Sequence, residues 1–113
     1  MCRALLVVCL APDRDALLEL KRAAVGTEWE LTPGATTVED AIAQIEDRGG
    51  HVLVASGPST GDVIARVRDR WPLMRVVVVS DGPVEGATAV VGSLDGVRAA
   101  VKGLPPPGGP VRA

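Results

Sequence analysis

The chain has 113 residues, 47% of them apolar, and a formal net charge of −2. That is one domain with enough apolar content for a core, and no run of about 18 or more apolar residues offers a membrane span. A slightly acidic chain lacks the concentrated basic face that a nucleic-acid ligand needs, and two Trp with no Phe or Tyr leave little for bases to stack on.

The segment from Met1 to Pro12 carries one Arg and a short apolar run, and Pro12-Asp13-Arg14 cuts it off. It lacks the pattern of a convincing signal peptide, and a cytoplasmic chain is expected. Cys2 and Cys9 lie seven residues apart on or beside one strand. At about 3.3 Å per residue they are roughly 23 Å apart, too far for a disulfide. No CxxC spacing or second ligand cluster accompanies them, so two reduced thiols are expected and no metal site or other cofactor.

Arg3 to Leu10 is a continuous apolar run, hence a strand buried on both faces. Pro12-Asp13 opens a helix to about Val25, with Ala16, Leu17, Leu20 and Ala24 on one stripe and Gly26 as its stop. Glu28 to Thr32 alternates as a short strand. Thr36-Thr37-Val38-Glu39 has the spacing of a capping box, for a helix with Val38, Ala41, Ile42 and Ile45 inward and Gly49-Gly50 at its end. His51 to Ala55 is the third strand. Ser59-Thr60-Gly61-Asp62 begins a helix with Ile64, Val67 and Trp71 inward, closed by Pro72. The Arg66, Arg68 and Arg70 series on it is expected to be a solvated face.

Arg75 to Val79 is the fourth strand and Thr88 to Val91 the fifth. Ser93 caps a last helix through Leu104, with Leu94, Val97, Val101 and Leu104 on its apolar side. Residues 1–104 form the domain, and 105–113 a Pro/Gly-rich tail or linker.

Strands alternating with helices imply a parallel sheet covered on both faces, in the flavodoxin-like order 2-1-3-4-5. One connection departs from the pattern. Only Ser80 to Ala87 separate the fourth strand from the fifth. Seven or eight extended residues reach roughly 23–28 Å, enough to run back along a strand of about 17 Å but leaving no length for a helix. The fourth helix of a three-layer α/β sandwich is therefore expected to be missing or reduced to a loop.

The run Ala4-Leu-Leu-Val-Val-Cys-Leu-Ala-Pro-Asp-Arg-Asp-Ala-Leu-Leu18 resembles the opening of response-regulator receiver (CheY-like) domains, and the resemblance extends to about residue 104. It implies that the acidic pair holding Mg²⁺ in that family falls on Cys9 and Leu10. The phosphoacceptor Asp falls on Ser56, or on Ala55 if the register slips by one. The switch hydroxyl at the end of strand four falls on Ser80. The family Lys at the end of strand five falls near Gly92-Ser93, and the nearest lysine, Lys102, lies inside the last helix. A thiol and a leucine cannot stand in for carboxylates on a hard cation. No Asp, Lys or His stands at a motif spacing to activate Ser56. The chain thus resembles the aspartate-less pseudo-receivers, and phosphotransfer and enzymatic activity are not expected.

Two function classes follow. The favoured one is a regulatory interaction module that acts without phosphorylation and binds a protein partner or a second copy. Its expected surface is the strand four, strand five and last-helix face, through Val77, Val79, Val84, Val90, Val97 and Val101, on the reasoning that a missing helix leaves valines open. The alternative is a small-ligand or anion sensor in the crevice at the strand ends. That crevice would be lined by Cys9, Leu10, Ser56, Ser59, Thr60 and Ser80, with Ser59 and Thr60 in the loop before the third helix. A thiol enzyme built on Cys9 lacks a base at readable spacing. His51, at the opposite edge of the sheet, is expected to be a surface residue.

Overall fold

The computed structural model describes residues 5–24, 29–48, 51–58, 60–72, 74–82 and 84–102. Calls on Cys2, Ser59, Leu104 and the 105–113 tail lie outside them. The chain runs β1 (Leu5–Leu10), α1 (Arg14–Ala24), β2 (Trp29–Leu31), α2 (Val38–Arg48), β3 (Val52–Ser56), α3 (Thr60–Arg70), β4 (Arg75–Val79) and β5 (Ala89–Val91). A 3₁₀ turn (Leu94–Gly96) and α4 (Val97–Lys102) follow. The five strands form one parallel sheet in the order β2-β1-β3-β4-β5.

Side chains alternate across a strand, so each valine-rich run feeds two cores. Val8, Leu10, Leu53, Ala55, Val76 and Val78 pack with Val38, Ala41 and Ile45 of α2 and with Val63, Ile64 and Val67 of α3. Val7, Cys9, Val52, Val54 and Val77 face the other way, onto Leu20 and Ala24 of α1 and Val97 and Val101 of α4. Burying one such Val or Leu contributes about 1.5–3 kcal/mol, which explains why the central strands carry almost no polar side chains.

Helix ends follow local chemistry. Asp13 Oδ1 accepts from Ala16 N–H at 2.8 Å and caps α1. Thr37 Oγ1 accepts from Asp40 N–H at 3.1 Å, so the cap of α2 is Thr37 and not Thr36. Ser93 makes no side-chain cap, and the chain enters α4 through the 3₁₀ turn.

Among the described residues no helix lies between β4 and β5, as the short spacing requires. The connection nevertheless closes the face it was expected to leave open. Val84 and Ala87 fold back onto the Val76 and Val78 side of β4. On the opposite side α1 and α4 cover Val77, and Val79 packs against the same cluster. Val77 and Val97 are 0% exposed and Val101 3%, so these three cannot form a docking surface. Among the six candidate interface valines, Val90 alone is exposed, at 39%.

Candidate functional site

The C-terminal ends of β1, β3 and β4 lie together on one edge of the sheet, and the two positions onto which the resemblance puts the family's acidic pair are both core. Cys9 and Leu10 are each 1% exposed, and alternation sends them to opposite faces. Burial pushes the Cys9 thiol up to about 12, although Lys21 pulls the other way. A buried, protonated thiol and a leucine do not fit Mg²⁺, which takes oxygen ligands. Asp13, the nearest carboxylate in sequence, is committed to capping α1. Among the described residues no three His, Cys, Asp or Glu side chains gather.

The end of β1 is also covered from the side. Ala35 N–H donates to Cys9 O at 2.9 Å, and Ala11 N–H donates to Ala35 O at 3.1 Å, so the segment after β2 lies along it as an extra bridge. Gln44 of α2 holds that segment. Its Nε2 donates to Gly34 O at 2.6 Å, and its Oε1 accepts from Gly34 N–H at 3.1 Å and from the buried Thr32 hydroxyl at 2.8 Å. Gly34 has φ +90, and a Cβ there would come within 2.9 Å of Leu17.

Ser56 is the last residue of β3, paired with Val79, and is half-buried. Ala55, the alternative register, is fully buried. The next residue, Gly57, has φ +91 and lies so close to the Pro12 ring that a Cβ would meet Pro12 Cδ at 2.9 Å. The loops after β1 and β3 therefore lie against each other at Pro12 and Gly57. Thr60 is buried, and its hydroxyl donates to Gly57 O at 2.8 Å. Ser80 Oγ accepts from Gly82 N–H at 3.3 Å.

Among the described residues one recess lies to one side of this edge. A recess of about 180 Å³ is lined by Gly57, Thr60, Gly61, Val78, Val79, Ser80 and Val84. It includes Thr60 and Ser80 of the expected crevice but not Cys9, Leu10 or Ser56, and no cationic side chain lines it.

Two other residues differ from expectation. His51 is half-buried and part of the sheet: its Nδ1 accepts from Leu6 N–H at 3.0 Å, and its own N–H donates to Leu6 O at 2.9 Å. Arg68 is half-buried and does more than present a charge to solvent. It donates to the carbonyls of Pro72, Met74 and Gly86 and to the Thr88 hydroxyl, tying the end of α3 to the β4–β5 connection. The signal was available, since 64, 67, 68 and 71 are the i, i+3, i+4, i+7 stripe that carries the apolar residues of α3.

No protein-family model matches the sequence, and no curated protein matches it. Solved structures do. The signal receiver domain of an HD domain-containing protein from Pseudomonas fluorescens Pf-5 superposes with a TM-score of 0.73 at 13% identity, covering 88% of this chain and 93% of that one. HP1043, described as an orphan response regulator of H. pylori, gives 0.67 at 15% identity, covering 87% and 93%. The response regulator RcsB of Salmonella typhimurium, described for its DNA interaction, gives 0.70 at 12% identity, covering 89% of this chain but 60% of RcsB. This chain has the receiver fold. At such identities the likeness is one of architecture.

Proposed function

We propose that this receiver-fold chain is a regulatory protein-interaction module that works without phosphorylation and catalyses nothing itself. One observation supports the reading: the two residues at the positions that the resemblance gives to a receiver's acidic pair are part of the core. Cys9 and Leu10 are buried, Pro12 closes on Gly57, and Ser56 ends β3 with no acidic pair beside it. Phosphoryl transfer needs metal or ammonium compensation for the charge that develops on the phosphate, and none of these groups supplies it.

The partner in this reading is a protein. The DNA interaction described for RcsB is not carried over, because this chain spans 60% of RcsB and has a net charge of −2. Among the described residues no helix is long and apolar enough to cross a membrane.

The recess beside Ser80 supports a second reading, a small-ligand sensor. Its valines and hydroxyl suit a small neutral ligand better than an anion.

The test is incubation with acetyl phosphate and Mg²⁺, followed by intact-mass measurement. The module reading expects no covalent gain, and a stoichiometric phosphoryl adduct would overturn it. A thermal-shift screen with phosphate, nucleotides and small neutral alcohols separates the two readings. A saturating ligand at about one hundred times its Kd raises stability by about 2.7 kcal/mol.

A further inference from the structure

Residues 84–88 lie over β4 without being a helix, and one side chain dominates their polar attachment. Each of the five N–H groups of the Arg68 guanidinium has an acceptor. Nε and Nη2 both donate to Gly86 O, at 3.1 and 2.7 Å, and Nη2 also donates to Thr88 Oγ1 at 3.3 Å. Nη1 donates to Pro72 O at 3.1 Å and to Met74 O, so the guanidinium is anchored on the turn after α3 and reaches across to the connection. No carboxylate takes part. The ion pairs of α3 are made by Arg66 with Glu39 and by Arg70 with Glu46.

The other attachments are fewer. Thr88 N–H donates to Val76 O at 2.7 Å, and Thr88 Oγ1 accepts from Val76 N–H at 3.0 Å. Ala87 N–H bonds within the segment, to Val84 O at 3.3 Å. Val84 and Ala87 are half-buried, whereas Val76 and Val78 beneath are fully buried. Val84 also forms one wall of the recess. A segment whose apolar side chains are only half-buried and whose hydrogen bonds face solvent opens more readily than the fully buried strands beneath it.

We infer that residues 84–88 are a latched cover, which opens over the recess at the ends of β3 and β4 while the sheet stays closed, and that Arg68 is the latch. The fork grips main-chain carbonyls, so the hold does not depend on the side chains of the connection. With no anionic partner, the latch is also far less sensitive to ionic strength than an ion pair. The inference is independent of what the chain regulates.

Hydrogen exchange on the full chain tests it, comparing wild type with Arg68→Lys, which keeps the charge and stem but loses the planar fork. Exchange at Gly86, Ala87 and Thr88 is expected to rise about tenfold or more in the variant, while β1 and β3 amides change by less than about twofold. In a second measurement, Ser80→Cys in a Cys2→Ser background should be labelled by a thiol reagent faster, by a similar factor, when Arg68→Lys is added. Exchange that rises equally in β1 and β3 would make Arg68 part of one cooperative core. Unchanged exchange at 86–88, or an unchanged labelling rate at position 80, would also overturn the latch.

Discussion

Gly86→Ala isolates the packing of the β4–β5 connection. Gly86 has φ +87, a conformation that costs a side-chain-bearing residue about 1–2 kcal/mol. The new Cβ would also lie 2.7 Å from Ile64 Cγ2, where ordinary contact is about 3.5–4.0 Å. Ile64 is 4% exposed and packed in the core, so the connection must move outward, and overpacking of this kind costs about 1–3 kcal/mol. The smaller unfolded-state entropy of alanine returns about 0.4–1 kcal/mol. The net loss is about 1–4.5 kcal/mol, at about 4–8 °C of Tm for each kcal/mol in a domain near this size. Urea unfolding followed by tryptophan fluorescence measures it. Gly82→Ala is the control in the same connection: its Cβ meets nothing within 4 Å and its φ is not positive, so it should stay within about 0.5 kcal/mol of wild type. Adding Ile64→Ala to Gly86→Ala should recover the clash but not the backbone strain, giving a coupling of about 1 kcal/mol or more. If Gly86→Ala is as mild as Gly82→Ala, the connection is not packed on α3 and the argument is wrong.

Cys9 should resist alkylation in the folded Cys2→Ser chain at mildly alkaline pH and react only on unfolding, because burial holds its thiol protonated. The unfolded thiol ionises near 9.0 and the folded one near 12, so Cys9 contributes its full stability below 9.0 and loses it as pH climbs from 9.0 to 12; a Cys9→Ala chain should lack that alkaline loss in urea midpoints. His51→Ala should cost about 1 kcal/mol in the same assay by removing the acceptor of Leu6 N–H, whereas no change would mean that the bond contributes nothing.

The sheet was legible in the sequence where the pattern is strongest. Arg75 to Val79 forms a strand as its four valines require, and the strand order follows from the alternation of strand and helix. The loss of the fourth helix came from a simple length argument on residues 80–87. Helix ends were less legible. Thr36 and Thr37 are each followed three residues later by an acid, Glu39 and Asp40, so the motif alone cannot choose the cap, and the hydrogen bond selects Thr37. The valine face was misjudged because strand composition shows that both faces are apolar and not what covers them. Arg68 was missed because its charge was compared with Arg66 and Arg70 instead of with the stripe Ile64, Val67 and Trp71 that it shares. The packing of the loops around the candidate site was not readable locally. It depends on Pro12 meeting Gly57 and Ala35 meeting Cys9, contacts between segments that only the fold brings together.

The most direct test of the central claim is to restore the missing acceptor alone. In Ser56→Asp the carboxylate returns, while Cys9 and Leu10 still offer no oxygen ligands and Pro12 still closes on Gly57. Incubated with acetyl phosphate and Mg²⁺ and measured by intact mass, this variant is predicted to gain no phosphoryl group and to give the same spectrum as wild type. A stoichiometric, Mg²⁺-dependent phosphoryl gain in Ser56→Asp would contradict the account, because it would mean that the receiver site had lost only its acceptor and not the space and charge around it.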